Sequence, residues 1–150
     1  MQRRNGFTLI ELIVVIAILA IMASIGIPSY QRMILNNSVT SASNGLVGFL
    51  QMARSEAVTR KEDVTVTANG GNWHAGATMR DASNTTLKVL PAASVGVSIV
   101  GGVDVLTYRA DGALNPMLCR EFTVSEDSGA VNSRSLHISP IGQTISGDCP

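Results

Sequence analysis

After five residues the chain enters the run GFTLIELIVVIAILAIMASIGI, residues 6–27. From Phe7 to Ile27 its only charged side chain is Glu11. A helix rises about 1.5 Å per residue, so these 21 residues would extend about 30 Å, enough to cross the hydrocarbon core of a bilayer. The run therefore predicts a membrane-spanning helix at the start of the chain.

The charges that flank this run predict its orientation. Arg3 and Arg4 precede it, and no acidic residue does. Basic residues tend to remain on the cytoplasmic side of a membrane helix. We therefore expect a cytoplasmic N-terminus, and a domain beyond Ile27 on the other side of the membrane.

Glu11 is unusual for a simple membrane anchor. A carboxylate in a membrane helix costs about 2.5–3.5 kcal/mol on insertion scales, so it needs a partner or a function. One interpretation is an interfacial glutamate that the positive end of the helix dipole favours. The other is cleavage between Gly6 and Phe7, which would remove both arginines and create an amine four residues before Glu11. A neighbouring copy could then neutralise each of these opposite charges.

Two other interpretations of the run fit less well. A secretory signal peptide has a shorter apolar region and a small-x-small cleavage site. Residues 21–23 match that site poorly, and Glu11 would lie inside the apolar region. A plain single-span anchor would leave Glu11 without a purpose.

Residues 6–12 resemble the class III signal of type IV pilins and type II secretion pseudopilins. The resemblance implies that a prepilin peptidase cuts after Gly6 and methylates the new amine of Phe7. It also implies that Glu11 guides docking into a growing filament. The implied partners are the peptidase, the inner membrane, and other major and minor pilin or pseudopilin subunits. The implied location is the inner membrane with a periplasmic head, followed by the pilus or pseudopilus.

Length and charge bound the rest of the chain. Removal of residues 1–6 would leave 150 − 6 = 144 residues, which is room for one domain behind a long helix. The chain has 11 basic and 11 acidic side chains, and loss of Arg3 and Arg4 leaves 9 against 11, a balance of −2. No overall basic excess recruits nucleic acid, so nucleic-acid binding would need a local basic patch.

The sequence contains two cysteines, Cys119 and Cys149. Beyond the membrane a disulfide between them is predicted, and closing this loop of about 30 residues would add about 3–4 kcal/mol. A two-cysteine metal site is the alternative, but neither His74 nor His137 stands at ligand spacing from a cysteine. We expect no metal and no cofactor.

A second helical pattern follows Pro28. Proline removes a helical donor, but residues 30–34 resume helical character, so a kink is predicted rather than an end. A proline at this place is also typical of pilin-like proteins. From residue 39 a three-to-four spacing of apolar residues predicts an amphipathic helix that packs on a sheet. The apolar positions are Val39, Ala42, Leu46, Phe49, Leu50, Ala53 and Ala57.

After Lys61 the apolar period changes to two, which is typical of β-strands. Two alternating runs, 95–100 and 103–108, flank Gly101-Gly102, which predicts a two-residue hairpin. The whole pattern predicts an α+β fold, in which a long N-terminal helix packs on an antiparallel sheet like the handle of a ladle. The other expected strands are 64–68, 73–79, 87–90, 121–124, 135–138 and a short 141–145.

The expected organisation is a leader at 1–6, a transmembrane and assembly helix at 7–27, its continuation at 28–60, and a β-rich head at 61–150. The runs at 53–57 and 108–112 and the segment 142–149 resemble the GspH/FimT group of minor pilins and pseudopilins. That resemblance implies a non-catalytic structural subunit that assembles into, or primes, a type IV pilus. A type II secretion pseudopilin shares the same motifs and is an alternative.

Catalytic chemistry is not predicted. The sequence contains no HExxH, GxSxG, P-loop or CxxC motif. His74 follows a turn and His137 alternates with apolar residues on an expected strand. We interpret both as surface or edge-strand histidines rather than as bases.

A DNA-binding minor pilin of natural transformation is a further alternative. Some FimT-type minor pilins are associated with DNA capture through a Gly-Arg-x-Arg-like motif near the C-terminus. The matching residues here, 142–145, read GQTI, and the absent arginines would remove phosphate contacts. Lys88, Arg120 and Arg134 remain as a candidate basic patch. Scattered, solvated charges are the favoured interpretation of these three residues.

Overall fold

A computed structural model describes residues 8–145 of the protein. Within that range the chain forms one long helix, α1 (Leu9–Arg60), followed by strands and short turns. The contacts divide the chain into a first unit that ends at Ile34 and a second that begins at Leu35.

The first unit is the apolar part of α1. The helix passes through Pro28 without interruption, so the proline does not end it. This part of α1 is long and apolar enough to cross a membrane, and none of its most apolar window is buried within the protein. Whether Pro28 also kinks the helix stays a prediction.

In the second unit, α1 contributes one face of the core. Gly45 and Gly48 each weaken a helix by about 1 kcal/mol, whereas burial of each large apolar side chain contributes about 1.5–3 kcal/mol. Four such side chains outweigh two glycines, so packing stabilises this part of α1. The buried apolar residues of α1 are Val39, Leu46, Phe49, Leu50, Ala53 and Ala57.

Nine strands follow α1 in the described range, and every pairing between them is antiparallel. The predicted α+β class, one long helix packed on antiparallel strands, is confirmed, with two sheets in the head. The strands are β1 (Val64–Ala68), β2 (Ala77–Arg80), β3 (Thr86–Leu90), β4 (Val97–Gly101), β5 (Val105–Tyr108), β6 (Leu114–Asn115), β7 (Arg120–Glu126), β8 (Arg134–Ile138) and β9 (Thr144–Ile145).

The two sheets share one core with α1. The first has the order β3-β2-β1-β5-β6 and the second has the order β4-β7-β8-β9. In β1 every second residue is buried, as expected when one face of a sheet packs on a core. In β7 the same alternation buries Phe122, Val124 and Glu126.

The prediction of a hairpin at Gly101-Gly102 is wrong. β4 pairs with β7 in the second sheet, whereas β5 pairs with β1 in the first, so the chain crosses between sheets here. A β-carbon on Gly101 would lie 2.7 Å from Phe122 Cε1 and 2.8 Å from Trp73 Nε1. Glycine is needed because two large rings pack against the backbone at this crossing.

Trp73 begins a turn and not the expected return strand. Residues 73–75 form a 3₁₀ turn, and β2 starts only at Ala77. The indole N–H of Trp73 donates to the Val103 carbonyl at 2.6 Å, and its ring meets Phe122 edge-on with centroids 4.8 Å apart. Because a buried indole needs a hydrogen-bond acceptor, this contact fixes Trp73 at the sheet crossing.

Candidate assembly site

Glu11 lies in the first turn of α1 and forms a reciprocal cap with Thr8. The backbone N–H and the hydroxyl of Thr8 both donate to Glu11 Oε2 at 2.9 Å. In return, the N–H of Glu11 donates to Thr8 Oγ1 at 3.3 Å. This is a capping box, whose sequence signature is a threonine followed three residues later by glutamate. The box was missed in the sequence, although T-x-x-E is present there.

The surface around this cap is apolar. Between Leu9 and Ile34, the large hydrophobic side chains of α1 are 47% to 75% exposed. Water does not solvate such a surface favourably, so lipid or the apolar surface of another chain must cover it. The cap thus places one carboxylate at the end of a surface that needs an apolar environment.

The other predicted N-terminal residues are not all within the described range. Gly6 and Phe7 lie outside residues 8–145, so cleavage after Gly6 and methylation of Phe7 stay predictions. Pro28 lies inside α1. The pairing of Glu11 with a Phe7 amine also stays a prediction.

Cys119 lies just before β7 and is disulfide-bonded. Cys149, the other cysteine of the sequence, lies outside the described residues. Among residues 8–145, no group of three or more His, Cys, Asp and Glu side chains is arranged to hold a metal ion.

Arg54 joins α1 to two turns of the head. Its Nε donates to the carbonyl of Gly112 at 3.0 Å. Gly112 and Gly142 have φ values of +79° and +78°, and a β-carbon on either would lie 3.1 Å from Arg54 Nε. A β-carbon on Gly142 would also overlap the carbonyl oxygen of Gly112. We call these three residues the arginine clasp, since only glycine permits both turns to approach the side chain so closely.

The three candidate DNA-binding residues lie on three different strands. Lys88 is in β3 of the first sheet, where its Nζ lies 3.3 Å from Met52 Sδ. Arg120 and Arg134 are in the second sheet, and Arg134 lies opposite Val124. Arg120 is four residues from Val124, or about 13 Å at about 3.3 Å per residue. The strand register therefore does not bring the two arginines side by side.

His137 is not the surface or edge histidine that was predicted. It lies on β8, which pairs with β7 on one side and β9 on the other, and it is only 6% exposed. The two-residue β9 makes β8 an inner strand, and so short a strand gives little periodic signal. His74 is exposed, as expected, and lies 3.2 Å from Asn72 through its Nε2.

Glu126 closes the turn between β7 and β8. Its carboxylate accepts hydrogen bonds from the Ser128 hydroxyl at 2.6 Å, the Ser128 N–H at 2.8 Å and the Ala130 N–H at 3.2 Å. These hydrogen bonds, first those of Ser128, hold the pKa of Glu126 below its ordinary value of 4.5. The ionised form of Glu126 therefore stabilises the folded head.

Glu126→Gln should reduce the pH dependence of head stability. Because the folded-state pKa is lowered, the carboxylate stabilises the fold above pH 4.5 and loses this effect as pH falls through the folded-state pKa. The free energy of unfolding of the full chain in detergent, followed by Trp73 fluorescence, should thus fall less below pH 4.5 in the variant. Glu121→Gln, an exposed glutamate on the same strand, is the control. Parallel pH profiles for Glu126→Gln and the wild type would contradict this role.

The chain is similar to known proteins in both of its parts. A family model described as type II transport protein GspH matches residues 42–142, and one described as a prokaryotic N-terminal methylation motif matches residues 1–27. A fimbrial protein of Pseudomonas aeruginosa is 40% identical over 65 residues, 43% of this chain and 42% of that protein. A type IV major alpha-pilin of Moraxella bovis is 35% identical over 81 residues, 46% of this chain and 51% of that protein. The chain spans about half the length of these curated relatives.

Solved structures extend the similarity to the head. The type IV minor pilin FimU of Pseudomonas aeruginosa has a TM-score of 0.66 and 27% identity, covering 75% of this chain and 90% of its own. The minor pseudopilin EpsH of the Vibrio cholerae type 2 secretion system has a TM-score of 0.55 and 12% identity, over 71% and 92%. The likeness to EpsH shows a shared fold.

The family identified from the motifs is therefore confirmed. The GspH model matches more than half of the chain, and the methylation-motif model matches the N-terminal run from which the resemblance began. Proteins of the pilin class are structural subunits with an apolar N-terminal helix that suits a membrane. The chain belongs to the GspH family of minor pilins and pseudopilins.

Proposed function

We propose that this protein is a minor pilin, a non-catalytic subunit that is stored in the inner membrane and enters a type IV pilus through α1. The observation that carries the proposal is the apolar part of α1, exposed from Leu9 to Ile34 with a capped carboxylate at its start. In the membrane, lipid would cover that surface. In a filament, the helices of neighbouring subunits would replace the lipid.

Processing would complete the assembly site. Prepilin peptidase would cut after Gly6 and methylate the amine of Phe7. The capping box supports this proposal because Thr8 and Glu11 both remain in the processed chain, and the box holds the carboxylate at the end where the amine appears. The Phe7 amine of a neighbouring copy would then neutralise Glu11 in an environment where either charge alone is costly.

The remaining organisation follows from the same proposal. Residues 1–6 would be the leader, 7–27 the transmembrane segment and 28–60 its continuation past a kink at Pro28. The head, residues 61–150, would lie in the periplasm and later on the filament; the basic residues before α1 support the periplasmic orientation. The disulfide at Cys119 fits an oxidising compartment, and Cys149 is its proposed partner.

A pseudopilin of a type II secretion system is the second candidate, because the matching family description names type II transport. The pilus is favoured because FimU shares 27% identity with this chain and EpsH 12%. Capture of the native protein with its neighbours, followed by peptide mass spectrometry, would separate the two. DNA binding is not proposed, because residues 142–145 lack arginine and the candidate cations lie on three strands.

Mass spectrometry of the N-terminus tests the processing step. The purified native protein should begin at Phe7 and carry one added methyl group. Gly6→Leu should retain residues 1–6, because the peptidase would no longer find a glycine before the cut, whereas the neighbouring Asn5→Ala should be processed normally. A native protein that begins at Met1, or beyond Ala23, would contradict the proposal.

A further inference from the structure

A groove of about 670 Å³ lies between α1 and the turns of the arginine clasp. One wall is a single helix face, formed by Gln51, Arg54, Ser55, Val58 and Thr59. The opposite wall consists of Asp111 and residues 142–144. From Gln51 to Thr59 the helix advances about 12 Å, a length that three or four residues of an extended chain would fill. The groove has the dimensions of a short peptide site.

Arg54 brings a positive charge to this groove that the described head does not neutralise. Among residues 8–145, its hydrogen bond is the one from Nε to Gly112, and the ion pairs are Arg60–Glu56 and Arg109–Asp111. The guanidinium is half-buried, and its Nε contact fixes the plane of the group. Its two terminal nitrogens are therefore oriented in advance for a planar acceptor.

The acidic residue of the groove does not serve as that acceptor. Asp111 Oδ2 lies 3.2 Å from Arg109 Nη2, and Asp111 Oδ1 accepts the Ala113 N–H at 3.0 Å. The negative charge of Asp111 is therefore balanced by Arg109, which lies on the same turn. Among the side chains of residues 8–145 that line the groove, the charge left without an ion-pair partner is that of Arg54, which is positive.

We propose that this groove binds an extended, acidic segment of a neighbouring filament subunit, with an Asp or Glu carboxylate on the terminal nitrogens of Arg54. The hydroxyl and amide side chains of the walls, such as Ser55 and Gln143, provide donors and acceptors for the backbone of that segment. Thr144 belongs to β9, the outermost strand of the second sheet among the described residues, and an extended segment could add along such an edge. The inference rests on the proposed function, since a filament supplies the neighbour.

Photo-crosslinking from Thr59 tests the site in the full chain. Thr59 is exposed in the last turn of α1 and lines the groove. Benzoylphenylalanine at this position should therefore crosslink, on irradiation, to the segment that occupies the groove. In cells that assemble filaments, the sheared fraction should contain an adduct between this chain and another pilin subunit. Peptide mass spectrometry of the adduct should locate a segment that contains Asp or Glu.

Gln51→Glu introduces a carboxylate that competes with the incoming segment for the guanidinium of Arg54. A glutamate three residues before Arg54 can form an ion pair along the helix, so it occupies the guanidinium and leaves the clasp hydrogen bond to Gly112 in place. We expect the adduct to decrease about tenfold, since charge-assisted hydrogen bonds of the incoming carboxylate are lost. Asn44→Glu is the matched control, with the same charge change at an exposed position two turns earlier, outside the groove.

The outcomes separate this inference from the proposed function. Filaments that contain the protein but give no adduct from Thr59 would overturn the inference and leave the function intact. An adduct on a segment without a carboxylate, or one that Gln51→Glu does not reduce, would also overturn it. Absence of the wild-type protein from filaments would instead contradict the proposed function.

Discussion

Replacing Glu11 by alanine should leave the protein in the membrane and reduce its amount in sheared filaments by about tenfold or more, the ratio that about 1.4 kcal/mol produces. Glu11 is the only charged side chain between Phe7 and Ile27. Without it, the Phe7 amine of a neighbouring subunit would lie unpaired in apolar surroundings, where an uncompensated charge is strongly destabilising. Immunoblots of membrane and sheared fractions measure both quantities.

Thr8→Ala is the control that separates docking from helix capping. It removes the hydroxyl that binds Glu11 and weakens the helix start by about 1 kcal/mol, but it keeps the carboxylate. Normal recovery of Thr8→Ala with loss of Glu11→Ala would support docking by the carboxylate. Similar losses in both variants would indicate that the cap is the important feature. Recovery of Glu11→Ala at the wild-type level would contradict a role for the residue in assembly.

Gly142→Ala should destabilise the head by about 2–4 kcal/mol. The backbone there has φ +78°, which costs a non-glycine residue about 1 kcal/mol, and steric overlap in a packed region adds about 1–3 kcal/mol. The overlap is with the carbonyl oxygen of Gly112, a backbone atom that cannot move aside as a side chain would. Denaturant unfolding of the full chain in detergent, followed through Trp73, the single tryptophan, measures the change.

Gly129→Ala is the control variant. Its backbone has a similar positive φ, but a β-carbon at this position would meet no neighbouring atom. Gly129 has φ +70°, and a β-carbon there would meet nothing within 4 Å. We expect Gly129→Ala to destabilise the head only by the conformational cost of about 1 kcal/mol. Equal destabilisation by the two substitutions would show that the close approach of the turns in the arginine clasp is unimportant.

The elements of this fold could be predicted because each has its own local period. The spacing from Val39 to Ala57 predicted a helix face whose residues are buried except for the half-buried Ala42, and alternation predicted most strands. The pairing partner of a strand, by contrast, depends on residues that are distant in the sequence. Gly101 has the local pattern of a hairpin, yet Trp73 and Phe122, distant in sequence, make it a crossing between sheets.

In the candidate site too, local contacts could be predicted and contacts between distant residues could not. The capping box of Thr8 and Glu11 lies within four consecutive residues, so it could have been predicted from the sequence alone. The arginine clasp could not have been predicted in this way, because Gly112 lies 58 residues after Arg54. Nothing local to Arg54 indicates that its partner is a carbonyl on a distant turn.

The arginine clasp also constrains the order in which the head can mature. If the chain emerges from the membrane beginning with the residues after Ile27, Arg54 appears long before Gly112 and Gly142 do. Until both turns have been synthesised and translocated, Arg54 lacks the carbonyl of Gly112 that its Nε binds and the two turns that pack against its side chain. The head of a subunit that emerged in this order would therefore stay short of its full stability until residue 142 has crossed the membrane.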